Sequence, residues 1–282
     1  MKILKTVSEI RKITAEWKKE GVSVGFVPTM GYLHEGHQSL IRKAREENDR
    51  VIVSIFVNPM QFGENEDFDS YPRDIERDSK ICEEAGVDII FNPEISEMYD
   101  EFFSSFVNMN TLPESLCGKS RPVHFKGVCT VVCKLFNIVS PDRAYFGQKD
   151  AQQLAIIKRM VCDLNFNIQI IGCPIVREAD GLAKSSRNTY LSGEERKAAV
   201  VLSRSLKVGK ELIEKGEKNA LKIISAIENE INKEKLAKID YVEIVDMNKL
   251  QSVDKIEKTV LAAVAVYIGK TRLIDNFLYE PV

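Results

Sequence analysis

The chain is poor in tryptophan and histidine, with one and three residues among 282. Scarcity makes position informative: two of the three histidines stand three residues apart, at His34 and His37. There is no excess charge of either sign. Lysine plus arginine total 40, aspartate plus glutamate 42, and the formal charge is -2. Nothing here supports nucleic acid as a main partner, which would call for a basic surplus. Long apolar runs are absent, so no segment spans a bilayer, and Met1-Lys2-Ile3-Leu4-Lys5 lacks the apolar centre of a signal peptide. The expectation is a cytoplasmic protein with neither membrane nor nucleic-acid partner. None of the six cysteines, Cys82, Cys117, Cys129, Cys133, Cys162 and Cys173, forms a C-x-x-C pair, and their spacing matches no zinc pattern. Cys129 and Cys133, one helical turn apart, read as metal or redox chemistry or as two small core residues on one helix face; we adopt the second. Finally, no G-x-x-x-x-G-K-[ST] loop occurs, and no G-x-G-x-x-G follows the first strand. A phosphate site must be built another way.

What is present is alternation. Ile3-Leu4 begins a strand, and Thr6-Val7-Ser8-Glu9 reads as a capping box opening a helix to about Lys19. Val22–Val27 is a strand and Gly36–Glu47 a helix. Arg50 to Val57 is a near-continuous apolar run, as expected of a strand buried on both faces. A helix from about Arg73 to Ala85 leads to a strand at Asp88–Phe91, and Ser105–Met109 reads as a further strand. Helices at Val123–Val139 and Asp150–Cys162 alternate with strands at Arg143–Phe146 and Asn167–Ile171. Such alternation implies βαβ units and a parallel sheet. After Gly172 the pattern changes to two long charged helices, Gly193–Gly216 and Asn219–Lys233, and three strand-like runs, Tyr241–Val245, Val260–Tyr267 and Thr271–Phe277. The expected fold is α/β: a Rossmann-like, doubly wound parallel sheet over residues 1–175, then a smaller C-terminal α+β lid domain over residues 176–282.

Four segments carry polar groups where strands end. Pro28 to His37 leads from a strand into a helix, where an open parallel sheet binds ligands and a helix N-terminus favours anions. Gly36 lets a nucleotide approach the backbone, and His34 and His37 can donate to phosphate oxygens in charge-assisted bonds worth roughly 1.5–3 kcal/mol each. The plainer reading is a pair of surface histidines near a turn. Asn58-Pro59-Met60-Gln61-Phe62-Gly63 ends the long buried strand; Gln61 can bond a hydroxyl or carboxylate, or the segment is an ordinary turn. In Phe146-Gly147-Gln148-Lys149-Asp150 the lysine can reach a phosphate and the aspartate a ribose, or Asp150 merely caps a helix. Arg177 to Asn188 offers Lys184, Ser185, Ser186 and Arg187 to phosphates on a loop able to close, or is a solvated linker.

Together these segments resemble the pantoate–β-alanine ligase family, through P-T-M-G-x-L-H-E-G-H, V-N-P-x-Q-F-G, Y-P-R at Tyr71–Arg73, F-G-x-K-D-x-Q-Q-L and R-E-A-D-G-L-A-x-S-S-R-N-x-Y-L-S, in that order across most of residues 1–200. The family is a nucleotidyltransferase group with H-x-G-H and K-M-S-K-S-like signatures, shared with class I aminoacyl-tRNA synthetases. The resemblance implies two steps: pantoate and ATP give pantoyl adenylate and pyrophosphate, then β-alanine gives pantothenate and AMP. It implies catalytic roles for His34, His37, Lys149 and Arg187. It places ATP against Pro28, Thr29, Met30, His34, Gly36, His37, Gly147, Lys149, Asp150, Val176, Lys184, Ser185, Ser186 and Arg187. Pantoate would meet Met30, Gln61 and Gln153; Asn58, Tyr71, Arg121 and His124 would border β-alanine and pyrophosphate. Asp78 matches a position associated with Mg²⁺, the metal accompanying ATP, and the implied assembly is a homodimer. Val123, Lys184 and Ala151 depart from the family's commoner glycine, methionine and bulky residue. Two alternatives stand beside this one: another H-x-G-H nucleotidyltransferase or acid-activating enzyme, and a non-catalytic nucleotide-binding protein.

Overall fold

The computed structural model describes residues 1–64 and 66–281. The chain divides into two compact units.

The first unit comprises Met1–Met109, Arg121–Gln148 and Ile156–Pro174. It runs β1 (Lys2–Leu4), α1 (Val7–Lys19), β2 (Val24–Thr29), α2 (Glu35–Glu47), β3 (Arg50–Ile55), α3 (Ile75–Glu84), β4 (Ile89–Phe91) and α4 (Ile95–Met98). The chain passes through α5 (Cys117–Ser120), which belongs to the second unit, before α6 (His124–Val139) and β5 (Arg143–Gly147). Then α7 (Ala151–Asp163) leads to β6 (Gln169–Cys173). The capping box forms as expected: Thr6 accepts from the Glu9 N–H and Glu9 reaches back to the Thr6 N–H. All six strands are parallel, in the order β1-β4-β3-β2-β5-β6. The expected doubly wound α/β sheet is therefore present. With β1 set at the edge beyond β4, chain order runs outward from β2 through β3 to β4 on one side and from β5 to β6 on the other, so the order reverses between β2 and β5, the point where such sheets open a ligand crevice.

Pro28 contributes to that opening. Val24 turns its carbonyl to Asp142 beside β5, and Thr29 turns its carbonyl to Phe56 beyond β3. By alternation Pro28 faces β5, where it has no N–H to give. The β2–β5 register stops at Phe26↔Ala144, whereas β2–β3 continues to Thr29↔Ile55. The apolar faces of β2, β3 and β4 bury Val27, Val51, Val53 and Ile90 against Leu40, Ile41 and Ala44 of α2.

The second unit comprises Asn110–Ser120, Lys149–Ala155 and Ile175–Val282. It adds α8 (Gly193–Ala198), α9 (Val201–Glu214), α10 (Ala220–Ile231), β7 (Ala237–Asp246), β8 (Val260–Ile268) and β9 (Thr271–Tyr279), the strands forming one antiparallel sheet in that order. Alternate residues of β8, from Val260 to Ile268, pack with Ile223, Ile227 and Ile231 of α10 and Leu202 and Leu206 of α9. Gln152 draws the early segment in: its amide donates to the Leu112 and Ser115 carbonyls (2.9 and 2.8 Å) and its oxygen accepts from the Cys117 N–H (2.9 Å).

Two expectations need correction. Ser105–Met109 is not a strand. Its Val107 N–H goes to the Thr130 hydroxyl on α6 (3.0 Å), and Phe106 lies under the Lys126 ammonium; side-chain contacts replace a neighbouring strand. The single helix Gly193–Gly216 is two, α8 and α9. They meet at Ala199-Val200, before a β-branched pair Val200-Val201 that crowds the preceding turn. Cys129 lies in the core while Cys133 is only half-buried, and burial pushes the Cys129 thiol up to about 12. Cys82 is pushed up equally, so both are poor nucleophiles.

Candidate active site

The first unit presents its polar groups at the ends of β2 and β3. After Thr29 the chain turns through Gly31, whose φ of +83 excludes most side chains; a Cβ there would also sit 2.9 Å from Ile55 and 3.0 Å from the Asp78 carboxylate. Asp78, on α3 and 1% exposed, accepts the N–H groups of Tyr32 and Leu33 at 2.7 Å each. Arg77 donates to the Leu33 carbonyl (2.8 Å) and lies over the Tyr32 ring. The loop preceding the histidines is thus fastened by two neighbours on α3.

His34 is the N-cap of α2. Its Nδ1 accepts from the Gly36 N–H (3.1 Å), and His37 Nδ1 accepts from the His34 N–H (3.3 Å). A nitrogen that accepts carries no proton, so each ring is the neutral tautomer with its proton on Nε2. The rings lie 4.0 Å apart between centroids. Each histidine thus presents a neutral Nε2–H donor at the N-terminus of α2, a helix end of the kind that favours anions.

A second group joins most of the residues assigned to the smaller substrates. Gln61 Nε2 lies 3.2 Å from Met30 Sδ. Asn58 is 1% exposed and holds the turn together: its Nδ2 donates to Gln61 Oε1 and the Gly127 carbonyl, and its Oδ1 accepts from the Tyr99 hydroxyl (2.7 Å). Gly127 of α6 packs against the same turn; a Cβ there would meet the Met60 carbonyl oxygen at 2.2 Å. Tyr71 is buried edge-on to Phe62.

His124 Nδ1 lies 2.9 Å from the Gln61 carbonyl, and Arg121 Nη1 lies 3.1 Å from His124 Nε2. The carbonyl can only accept and the guanidinium can only donate, so His124 is neutral with its proton on Nδ1. Arg121 is in turn held bidentately by Glu66, through Nε at 2.8 Å and through Nη2. Burial works against the Glu66 charge, but the Arg121 guanidinium overcomes it and holds the carboxyl below its ordinary range. A depressed carboxylate contributes stability above its unfolded pKa and loses it as pH falls through its folded value. Glu66→Gln is therefore expected to destabilise the protein at pH 7. The gap from the parent should narrow as pH falls below about 4, read by urea unfolding across pH; a gap constant with pH would remove Glu66 as the holder of Arg121.

The second unit carries the remaining groups. Lys149 and Asp150 form a 3-10 turn leading into α7, with Lys149 Nζ 3.5 Å from Asp150 Oδ2. Gln153 is half-buried in the first turn of that helix, and Ala151 is buried beside it. Val176 and Lys184 pair through backbone (Lys184 N–H to Val176 carbonyl, 2.9 Å), closing a hairpin with Arg177 opposite Ala183. Lys184, the departure from methionine, is paired with Glu178 at 2.8 Å, so its added charge is partly neutralised. Ser185 caps the 3-10 turn Ser186–Tyr190, accepting from the Arg187 N–H. Val123 is half-exposed just ahead of α6 in the first unit. Sequence reasoning missed Arg77, Glu66 and Tyr99, each of an ordinary type remote in sequence from its partner.

A family model described as pantoate-beta-alanine ligase matches residues 2–278. The chain belongs to the pantoate–β-alanine ligase family. A pantothenate synthetase of Enterococcus faecalis is 64% identical over 280 residues, 99% of each chain. A crystal structure of pantothenate synthetase from Thermus thermophilus superposes with a TM-score of 0.94 at 45% identity, each chain covered in full. A Francisella tularensis pantoate-beta-alanine ligase, solved in complex with beta-gamma ATP and beta-alanine, gives a TM-score of 0.80 at 37% identity, covering 99% of this chain and 97% of that one. Family membership accounts for the five motifs as a set. In the first unit, P-T-M-G-x-L-H-E-G-H and V-N-P-x-Q-F-G stand at the ends of β2 and β3, and Phe146-Gly147 closes β5.

Proposed function

We propose that the chain joins pantoate to β-alanine at the expense of ATP. In the first step a pantoate carboxylate oxygen attacks the α-phosphorus; the new O–P bond forms as the bond to the β-phosphate oxygen breaks, releasing pyrophosphate. In the second the β-alanine amine attacks the acyl carbon of pantoyl adenylate. A C–N bond forms, AMP leaves with its oxygen, and the amine gives up a proton. The observation that carries this reading is the position of H-x-G-H at the end of β2, where the strand order reverses, in a chain of this family. Its rivals, a different H-x-G-H activating enzyme or a non-catalytic binder, have no comparable support.

In this reading the protein positions charge and supplies no covalent nucleophile. The Nε2–H groups of His34 and His37 and the amides of α2 receive phosphate oxygens. Lys149, Ser185, Ser186 and Arg187 neutralise the charge that builds as pyrophosphate departs, with Pro28, Thr29, Gly147, Asp150 and Val176 around the nucleoside. Met30, Gln61 and Gln153 take pantoate. Asn58, Tyr71, Arg121 and His124 border β-alanine and pyrophosphate.

Mg²⁺ would supply further neutralisation of the triphosphate. Among the described residues no group of three carboxylate, histidine or cysteine side chains is arranged to hold a metal, and both Asp78 oxygens face backbone N–H groups. The fit is to an ion carried in by ATP and water. A cytoplasmic homodimer completes the proposal; among the described residues no helix is long and apolar enough to cross a membrane.

The test is to mix protein, ATP, Mg²⁺ and pantoate with and without β-alanine, following pyrophosphate, AMP and pantothenate. Pantothenate and AMP should appear only with all substrates. ATP binding with no chemistry on adding pantoate would remove the substrate assignment.

A further inference from the structure

Two adjacent residues of β9 hold the two phosphate-handling segments of the second unit. Asn276, 3% exposed, donates from Nδ2 to the Lys149 carbonyl at 2.8 Å. Asp275, 2% exposed, accepts both Arg177 Nη groups, at 2.6 and 3.0 Å, and also the Asn276 N–H at 2.7 Å. Neighbouring residues of a strand point to opposite faces, so one strand anchors Lys149 from one side and the Arg177 hairpin from the other. Arg177 also donates to the Gly181 carbonyl (3.0 Å), which ties the turn of that hairpin to the same carboxylate. The hairpin leads directly to Lys184, Ser185, Ser186 and Arg187.

We propose that Asp275 and Asn276 are positioning residues for the adenylation step, fixing Lys149 and the Ser185–Arg187 segment in one frame set by β9. The inference rests on the phosphate roles proposed above. Its physical basis is that a lysine ammonium acts as a point charge at the end of a flexible stem. Only its backbone can be fixed in advance, and Asn276 fixes it through the carbonyl. The Asp275–Arg177 pair is bidentate and its carboxylate buried, a geometry that tolerates little displacement.

The test separates the two half-reactions. Asn276→Ala should slow single-turnover pyrophosphate release from ATP, Mg²⁺ and pantoate by roughly tenfold. Aminolysis of supplied pantoyl adenylate by β-alanine should stay within about twofold. In Lys149→Ala the further change Asn276→Ala should have almost no effect, because coupled residues do not add. Arg177→Lys, which keeps the charge and loses the fork, should show the same selective loss and serves if Asn276→Ala fails to fold. Equal loss in both half-reactions, or full additivity with Lys149→Ala, would overturn the positioning role. If Lys149→Ala is crippled and both Asn276→Ala and Arg177→Lys adenylate normally, the clamp alone fails. If Lys149→Ala adenylates normally, the phosphate reading falls and the clamp with it.

Discussion

Lys149→Ala lowers the rate of pyrophosphate release by about 10²-fold or more, while the unfolding midpoint scarcely moves. The two halves of this expectation have separate grounds. In the folded protein the lysine ammonium meets Asp150 at 3.5 Å, and Asp150 is half-exposed. An ion pair of that kind contributes at most about 1 kcal/mol. The backbone is held independently, since the Asn276 bond goes to the Lys149 carbonyl and survives truncation of the side chain. In the transition state, by contrast, charge grows on the departing pyrophosphate and a fixed cation acts where water is excluded. The effect should therefore fall on adenylation and spare aminolysis of supplied pantoyl adenylate. Lys149→Arg should recover part of the rate, because it keeps the charge but changes its shape and reach. Stopped-flow pyrophosphate release with urea unfolding of each variant reads both halves. Near-normal release from a folded Lys149→Ala protein would take the lysine out of the phosphate site.

What could be read from the sequence were the features that act locally. The run from Arg50 to Val57 announces a strand buried on both faces, and the structure gives one over Arg50–Ile55, buried from Val51 onward. The Thr6–Glu9 box announces a helix start, because donor and acceptor lie three residues apart. The motifs at Pro28–His37 and Phe146–Asp150 could be placed at strand ends for the same reason. The strand order could not be read, since it is set by pairings between distant segments. Nor could the partners that fix the motifs: Asp78 lies 46 residues from Tyr32, Arg121 lies 55 from Glu66, and Asn276 lies 127 from Lys149. An aspartate on an amphipathic helix and an asparagine in a strand carry no periodic signal of such a role. The histidine tautomers were hidden too, because which nitrogen bears the proton is decided by backbone geometry at the start of α2. Ser105–Met109 shows the converse error: strand-like composition yields no strand where its N–H groups find a side chain first.

Asp78→Asn provides the sharpest test of how the histidines are held. Burial raises the Asp78 carboxyl above the usual carboxylate range, against the pull of the Leu33 and Tyr32 N–H groups. The group thus favours folding most below the ordinary aspartate pKa and loses that contribution as pH rises through its folded value. At neutral pH the charged form rests on those two short bonds. An amide has the same outline but one acceptor, so one of the two N–H groups would face another donor. That costs roughly 1–3 kcal/mol, offset in part by removing a buried charge. The net loss of stability should be about 1–2 kcal/mol. The larger consequence is geometric. Tyr32 and Leu33 lead straight into His34, and a displacement of about 1 Å at a reacting group can cost on the order of 10²-fold in rate. Adenylation should fall by about that factor, with the Mg²⁺ concentration for half-maximal rate unchanged. A metal ligand would behave otherwise: its loss would raise the Mg²⁺ requirement and leave folding nearly intact. Titrating Mg²⁺ against pyrophosphate release, beside urea unfolding, therefore decides between an anchor for the histidine loop and a ligand for the ion. An unchanged midpoint with a Mg²⁺ requirement raised about tenfold would give Asp78 to the metal.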